Sequence, residues 1–204
     1  MTRTTKNIMD LSEEMVKAEG IDMSGLYENE LYIHSENVAR LSVALGITFG
    51  LNIQELLDLG VGGLLHDYGK AFIEANILYK PDRLSNMEFY LIQGHPSRGY
   101  RELKAYNFND TVMQIVLNHH EKLTGQGYPI GKHNLDFLVQ IVTVADIFDA
   151  IHSKRSYHEE RSYEKTFEIV KNEKGLNPII VEALKTLIEN NYKKEGIVIS
   201  ATHG

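Results

Sequence analysis

The sequence predicts an all-α fold, a bundle of about seven to nine helices. Apolar residues recur at three- and four-residue intervals along most of the 204-residue chain, a period typical of helices that bury one face. The two-residue alternation that is typical of half-buried strands is almost absent. Residue types that cap helices precede several of the periodic segments. These observations favour helices packed on helices, with no sheet.

Helix start signals set the predicted boundaries. Asn52 lies where an N-cap is expected, and Ser85 and Glu88 have the spacing of a capping box. Asp110 is predicted to cap the helix that follows it, and Pro178 to occupy the first position of the last helix. The predicted helices, in chain order, are residues 6–18, 27–45, 53–66, a short helix from Ser85, 96–106, 110–120, 136–151, 162–173 and a last helix from Pro178.

Glycine marks two further features. Gly60, Gly62 and Gly63 lie inside the predicted helix 53–66, where each costs about 1 kcal/mol relative to alanine. We therefore expect another backbone to pack closely against this helix. Residues 124–135 contain three glycines and a proline, and this composition predicts a loop.

Length and composition predict a single globular domain that covers residues 1–204. Residues 1–26 are expected to form an N-terminal helix and lead-in, and residues 195–204 a short tail. With 43% hydrophobic and 24% charged residues, the composition is that of a folded protein. The absence of cysteine excludes disulfides, thiolate metal sites, iron–sulfur clusters and a cysteine nucleophile.

Charge and hydropathy predict a cytoplasmic protein that binds neither membranes nor duplex nucleic acid. A net charge of −7 does not supply the positive surface that duplex DNA requires. Residues 1–10 lack the apolar segment of a signal peptide. The longest uncharged stretch, residues 41–54, is interrupted by Gly46 and Gly50 and is too short to span a bilayer.

Residues that can bind metal ions are concentrated at predicted helix ends. Glu30 and His34 are four residues apart and therefore share a helix face. Asp146 lies within an apolar helix, where a buried carboxylate requires a cationic or metal partner. Any one histidine in such a position is more often a helix cap or a surface residue than a metal ligand, so the indication comes from the whole set. The set is Glu30, His34, His66, Asp67, His95, His119, His120 and Asp146.

Short signatures connect these residues in a fixed order. They are His66-Asp67-Tyr68-Gly69-Lys70, His95-Pro96, His119-His120-Glu121, Gly127-Tyr128-Pro129 and Ala145-Asp146-Ile147-Phe148-Asp149-Ala150. In this combination the sequence resembles the HD-GYP domains, a bacterial branch of the HD superfamily of metal-dependent phosphohydrolases. The resemblance extends from about residue 31 to residue 184. It implies an HD-domain helical bundle with a GYP loop.

The resemblance implies metal-dependent hydrolysis of cyclic di-GMP, a bacterial second messenger. Family members cut it to pGpG, and some continue to GMP, with a hydroxide that bridges ions in a centre of two or three iron or manganese ions. Two metals can neutralise a phosphodiester and stabilise both the attacking and the leaving oxygen. Nitrogen and oxygen ligands without sulfur suit iron or manganese at least as well as zinc.

The resemblance also assigns roles to the metal-binding set. Glu30 and His34 match an extra pair found in trinuclear members, and the other six residues match the ligands of a two-metal core. Asp67 and Asp146 are the candidate carboxylates shared between ions. Lys70 matches the lysine that binds the scissile phosphate, so Lys70 and Asp67 are the predicted catalytic residues.

Substrate contacts are predicted on two segments. Tyr128 and Arg155 match residues that hold the substrate, and a tyrosine can stack on a guanine or bind a phosphate. Two positions depart from the family pattern. Thr124 replaces the usual aspartate of the GYP loop, and His158 stands where a second basic residue is usual, which makes His158 a candidate substrate contact.

The other polar residues near these signatures have supporting or neutral roles. Glu121 and Asp149 are predicted to orient metal ligands through hydrogen bonds. His133, His152 and His203 are expected at the surface.

Several alternatives stay open at the level of sequence. Base recognition is not encoded in these signatures, so the substrate could be another cyclic dinucleotide, such as cyclic GMP-AMP. A general HD phosphohydrolase would act on nucleotides or guanosine tetraphosphate, against which the Gly127-Tyr128-Pro129 loop argues. A non-catalytic module would bind cyclic dinucleotides or dock on a cyclase-domain protein. The filled ligand positions favour catalysis, and a homodimer is a further expectation.

Overall fold

The computed structural model describes residues 2–23, 29–153 and 162–195, and every regular element in these ranges is a helix. The predicted all-α class is confirmed. None of the described helices is both long enough and apolar enough to cross a membrane. The helices are α1 (Arg3–Ala18), α2 (Asn29–Thr48), α3 (Ile53–Leu65), a 3₁₀ helix (Tyr68–Phe72), α4 (Ala75–Leu78), α5 (Asn86–Gln93), α6 (His95–Leu103), α7 (Asp110–Asn118), α8 (Phe137–His152), α9 (Tyr163–Asn172) and α10 (Pro178–Glu195).

Both predicted N-terminal caps at α3 and α5 are confirmed. The Asn52 side chain accepts a hydrogen bond from the backbone N–H of Glu55 at 3.1 Å, and the Glu55 carboxylate accepts one from the Asn52 N–H at 2.8 Å. Ser85 and Glu88 form the same reciprocal pair. Each box satisfies two backbone donors that have no partner within the helix, and this fixes where the helix begins.

The predicted cap of α7 is wrong by one residue. Asn109, not Asp110, is the N-cap, and its side-chain oxygen accepts from the Val112 N–H at 3.0 Å. The Asn109 amide group also donates to the buried carboxylate of Asp58 at 2.7 Å. This contact with α3 favours Asn109, because an amide can cap its own helix and donate to another residue at the same time.

Two short helices between α3 and α5 were not predicted. The 3₁₀ helix has five residues and α4 has four, which is too short for an apolar period to be recognised. None of the α4 residues is buried. In contrast, residues 124–135 contain no helix or strand, as predicted for the loop.

Helix α2 lies at the centre of the bundle. It packs on α3, α8, α1 and α10, while α3 also packs on α1 and α7. The predicted division into one domain with a lead-in and a tail stays a prediction. Fully buried core side chains from α2, α3 and α8 include Val38, Leu45, Leu59, Leu64, Ile141 and Val144.

The glycines of α3 allow it to approach its neighbours closely. A Cβ atom on Gly63 would lie 2.6 Å from the Cα atom of Ala39 in α2, and one on Gly62 would lie 2.6 Å from the Ile115 side chain. Close backbone packing, expected from the sequence, is therefore present at Gly63. It brings the C-terminal end of α3 against α2, where His34 and His66 lie with ring centroids 5.3 Å apart.

We expect Gly63→Ala to lower the free energy of unfolding by about 1–3 kcal/mol, despite the better helix propensity of alanine. The added methyl meets the Ala39 backbone, which cannot rotate away. Gly46→Ala is the matched control, because a Cβ atom there meets only the ends of leucine side chains within 3 Å. Urea unfolding of both variants tests this, and equal effects would contradict the backbone contact.

Candidate metal centre

Seven of the eight predicted metal ligands meet in one cluster. They come from the second turn of α2, the end of α3, the start of α6, the end of α7 and the middle of α8. All are buried except His120, which is half-buried. Within each of two groups, the candidate ligand atoms lie within 4.8 Å of one another. The first group is Asp67, His95, His119 and His120, and the second is His34, His66 and Asp146.

Helix backbone orients three of the histidine rings. Each ring donates from Nδ1 to the carbonyl oxygen three residues earlier, and this directs Nε2 toward the other candidate ligands. These bonds run from His66 to Gly63 at 2.7 Å, from His95 to Ile92 at 2.8 Å and from His119 to Val116 at 3.0 Å. A histidine in the last or first turn of a helix is therefore held with Nε2 facing the cluster.

Two carboxylates lie among these rings. Asp67 Oδ1 is 3.0 Å from His95 Nε2, and its Oδ2 is 3.4 Å from His66 Nε2. Asp146 Oδ1 is 3.0 Å from His34 Nε2 and 3.8 Å from His66 Nε2. Because each carboxylate has two oxygens, this arrangement allows it to bind more than one cation.

The carboxylates are ionised although they are buried. Burial raises the pKa of Asp67, but the nearby Lys70 and His66 outweigh it and hold the pKa well below its usual range. Burial likewise raises the pKa of Asp146, but the hydrogen bond from His34 together with the nearby His120 and His66 outweighs it and holds the pKa well below its usual range. The cluster therefore presents two negative charges with little access to water.

The chemistry of this cluster fits divalent metal ions. Burial lowers the pKa of His119 well below its usual range and that of His120 to about 3, so both rings are neutral ligands at pH 7. His66 Nε2 and Asp67 Oδ1 are buried and have no hydrogen bond of acceptable geometry to any part of the described chain. Buried polar atoms of this kind require a partner, and a cation that binds nitrogen and oxygen atoms supplies one.

Asp149 orients His34. It accepts hydrogen bonds from His34 Nδ1 at 2.6 Å, from the Asn37 amide at 3.0 Å and from the Ser153 hydroxyl at 2.7 Å. Asn37 and Ser153 were not predicted. Their positions, three residues after His34 and four after Asp149, share a helix face with a residue already singled out, and this spacing is the signal that could have found them.

Lys70 and Tyr128 border the cluster. The Lys70 ammonium group lies 2.5 Å from Asp67 Oδ2 and is only partly buried. The Tyr128 ring packs on His120, with centroids 4.6 Å apart and planes 30° apart. Burial and the nearby Asp146 raise the pKa of Tyr128, so its hydroxyl is neutral. Both residues predicted to contact substrate here are thus placed beside candidate metal ligands.

A glycine crossing sets the position of Lys70. The 3₁₀ helix crosses α6 where Gly69 meets Gly99, and a Cβ atom on Gly69 would lie 2.7 Å from the Gly99 nitrogen. The crossing holds the segment that carries Lys70 against the segment that begins with His95. This is a physical reason for the glycine in the signature that follows the His-Asp doublet.

Four of the predicted positions lie either outside the two groups of ligand atoms or outside the described residues. Glu30 is exposed and belongs to neither group of ligand atoms, so its role as a metal ligand stays a prediction. Arg155 and His158 lie outside the described residues, as does His203.

The prediction of a surface position was right for His133 and wrong for His152. His133 is exposed, whereas only 6% of His152 is exposed. The His152 ring stacks on Tyr163 with centroids 4.1 Å apart, and it also stacks on Phe148. The contact joins the end of α8 to the start of α9, and no local sequence pattern encodes it.

Comparison with known protein families decides the fold family. A sequence model described as an HD domain matches residues 20–177 of this chain. The chain belongs to the HD domain family. The HD-GYP resemblance predicted from the signatures is confirmed by the curated relatives together with this match.

Curated relatives of this HD domain protein include three bacterial enzymes. It is 37% identical over 129 residues to a cyclic di-GMP phosphodiesterase of Pseudomonas aeruginosa, covering 62% of this chain and 31% of that one. It is 32% identical over 184 residues to a cyclic di-GMP phosphodiesterase of Thermotoga maritima, covering 85% and 50%. It is 29% identical over 185 residues to 3'3'-cGAMP-specific phosphodiesterase 1 of Vibrio cholerae, covering 90% and 42%. The chain thus spans a third to a half of the length of these relatives.

A solved structure supports the fold. An HDG"Y"P protein from Bdellovibrio bacteriovorus superposes with a TM-score of 0.67 at 22% sequence identity, covering 91% of this chain and 63% of that one. At this identity the likeness concerns the fold alone.

We expect metal binding to release a proton from His34. Burial lowers the pKa of His34, but hydrogen bonds to Asp146 and Asp149 outweigh it and raise the pKa to about 9. In the metal-free protein His34 is therefore protonated at pH 7.5, and a metal must displace the proton on Nε2. Affinity should rise with pH until about pH 9 and then level off. Titration calorimetry in buffers of different ionisation enthalpy counts the protons.

Wild type should release about one more proton per chain than His34→Gln, since glutamine cannot be protonated. His133→Gln is the control for a histidine on the surface. Equal release from wild type and His34→Gln would show that His34 is not a protonated ligand.

The same pKa gives a stability prediction with a fixed sign. Because the folded-state pKa of His34 is raised, its stabilisation of the metal-free fold is complete below its ordinary pKa of 6.5 and is lost as pH rises through about 9.

Proposed function

We propose that this chain is a metal-dependent phosphodiesterase that hydrolyses cyclic di-GMP to pGpG and further to GMP. The observation that carries the proposal is the convergence of five histidines and two aspartates in two adjacent groups, with the Lys70 ammonium beside them. Relatives named cyclic di-GMP phosphodiesterases support the choice of substrate. Membership of the HD domain family supports metal dependence.

We propose a centre of two iron or manganese ions, held by the two groups of ligands. Metal ions there would neutralise the phosphodiester and lower the pKa of bound water. The described ligand atoms form two groups, which favours two ions over three. A third ion would have to recruit Glu30, whose side chain is exposed.

The side chains of this site divide the remaining work. Asp67 and Asp146 hold negative charge between the two groups of histidines. The Lys70 ammonium is 2.5 Å from Asp67 and partly exposed, so it can leave this carboxylate for a phosphate oxygen. There it would stabilise charge that develops in the transition state or donate a proton to the leaving 3′ oxygen.

We further propose that Tyr128, Arg155 and His158 contact the nucleotide. Tyr128 packs on His120 at the border of the cluster, where a phosphate oxygen or a base would come close. An arginine offers two parallel donors to a phosphate.

A second candidate substrate is a mixed cyclic dinucleotide. The relative that matches 90% of this chain is named as specific for 3'3'-cGAMP. The described site contains no group whose contact to a base would separate guanine from adenine, so the assay must decide. The cyclase partner, the homodimer and the cytoplasmic location stay predictions.

Purified protein loaded with manganese or iron in the absence of oxygen should convert cyclic di-GMP to pGpG. Chromatography measures the substrate and the product over time. Cyclic GMP-AMP and cyclic di-AMP are tested in parallel at equal concentration. Faster turnover of cyclic GMP-AMP than of cyclic di-GMP would identify the mixed cyclic dinucleotide as the preferred substrate. Metal-loaded protein that cleaves none of the three would contradict the proposed function.

Lys70→Ala should retain its metals and lose turnover by a factor of roughly 10²–10³, the scale of a lost transition-state contact. Lys80→Ala is a matched control, because Lys80 lies outside the cluster and pairs with Glu88, at a distance of 2.8 Å between Nζ and Oε1. Metal analysis and turnover are measured on both. If the two variants kept the same turnover, Lys70 would have no part in the reaction.

A further inference from the structure

Glu121 is a fully buried carboxylate that holds a loop. Its Oε1 accepts a hydrogen bond from the backbone N–H of Ile130 at 2.8 Å. Within the described residues, this is the one hydrogen bond that the Glu121 side chain forms. It belongs to neither group of candidate metal ligands. The side chain therefore connects the two ends of residues 121–131, here called the GYP loop.

The GYP loop is closed at a second point. The Tyr128 N–H donates to the carbonyl oxygen of His120 at 3.3 Å. Gly127 lies close to the backbone of His120 and Glu121, and a Cβ atom on Gly127 would be 2.5 Å from the same His120 oxygen. Together with the bond from Ile130 to Glu121, this contact fixes Tyr128 against the ring of His120.

The other oxygen of Glu121 is unpaired. Oε2 is buried and lacks a hydrogen-bond partner among the residues the structure describes. A buried carboxyl oxygen without a partner lowers the stability of the fold, unless a small hydrogen-bond donor such as water binds to it. Among the residues that the structure describes, no lysine or arginine forms an ion pair with it, and the adjacent Lys122 pairs with Glu173 at 3.2 Å.

A small cavity adjoins Glu121. It has space of about 10 Å³ for the centre of a water molecule, which is close to the minimum for holding one. Thr143 donates its hydroxyl to the Val139 carbonyl at 2.9 Å, so the lone pairs of this hydroxyl remain available. The lining residues are Glu121, Leu123, Leu135, Gln140, Thr143, Gly175, Leu176 and Asn177. Four of these residues, Glu121, Gln140, Thr143 and Asn177, have polar side chains, and the space is about that of one water.

We propose that Glu121 is a positioning residue for substrate binding, and this inference rests on the proposed function. One carboxylate oxygen fixes Ile130, and the other accepts a hydrogen bond from a single water that also contacts Thr143. The water links the GYP loop to α8, which carries Asp146. Tyr128 is thereby held at a fixed place beside the metal centre before substrate arrives, and binding spends less free energy on ordering the loop.

Glu121→Ala and Glu121→Gln separate this role from a purely structural one. Glu121→Ala should keep its metals, raise KM about tenfold or more and change kcat less, because a lost hydrogen bond to a charged group has this scale. The Ile130 amide should exchange its hydrogen at least about tenfold faster in the metal-loaded protein. Glu121→Gln keeps an oxygen for Ile130 and offers an NH₂ group to the water, so KM and exchange should return to within about threefold of wild type.

Thr143→Val tests the water and does not depend on the folding of the alanine variant. Removal of the hydroxyl should raise KM about two- to fivefold with unchanged metal content, because the water loses one partner. An unchanged KM in Thr143→Val would contradict the proposed water between Glu121 and Thr143. Loss of metal in Glu121→Ala with KM unchanged, or a Glu121→Gln variant as impaired as alanine, would overturn the positioning role.

The two proposals fail differently. If wild-type protein cleaves no cyclic dinucleotide, the proposed function is lost, while the exchange of the Ile130 amide still reports whether Glu121 holds the loop. If wild type is active and both Glu121 variants retain wild-type KM and exchange, only the positioning role is lost.

Discussion

The burial of two carboxylates, Asp67 and Asp146, is the constraint that the surrounding structure satisfies. Two anions close together and shielded from water are unfavourable unless positive charge compensates them. In the metal-free chain, protonated His34 and the ammonium group of Lys70 supply part of that charge. The rings of His119 and His120 are neutral and add no charge, so metal ions can supply the rest.

Helix geometry turns this constraint into a site. Three of the histidines, His66, His95 and His119, lie at helix ends, where a backbone carbonyl three residues earlier accepts from Nδ1. Glycine then brings the helices close enough for the rings to meet in one cluster. The close contacts are Gly63 against Ala39 and Gly69 against Gly99. His34 differs, because Asp149 and not a carbonyl accepts from its Nδ1. A carboxylate there makes the ring a stronger ligand.

Local sequence predicted the parts of the fold that depend on local contacts. The capping boxes at Asn52 and Ser85 need only residues within one turn, and they are present as expected. Asn109 displaced Asp110 as a cap because it also reaches Asp58 on another helix. His152 is buried because its ring stacks on Tyr163 across a helix junction. Neither contact is visible in the spacing of one segment.

The candidate site was predictable for a different reason. The candidate ligands lie in strict signatures, so the resemblance pointed to His66, Asp67 and the other residues that the structure brings together. The periodicity of one chain could not have divided them into two groups. The support around them was less visible. Asn37 and Ser153 have no unusual residue type, and the role of Glu121 depends on a loop closure that only coordinates reveal.

Metal stoichiometry tests the central claim most directly. Metal-free wild-type protein is titrated with Mn²⁺ under equilibrium dialysis, beside an Asp67→Asn, Asp146→Asn double variant that keeps the shape of both side chains. We expect wild type to saturate at about two ions per chain and to become more stable toward urea as it binds them, while the double variant takes up almost none. Wild type that binds no Mn²⁺, or a double variant that binds as much as wild type, would contradict a centre organised by these two carboxylates.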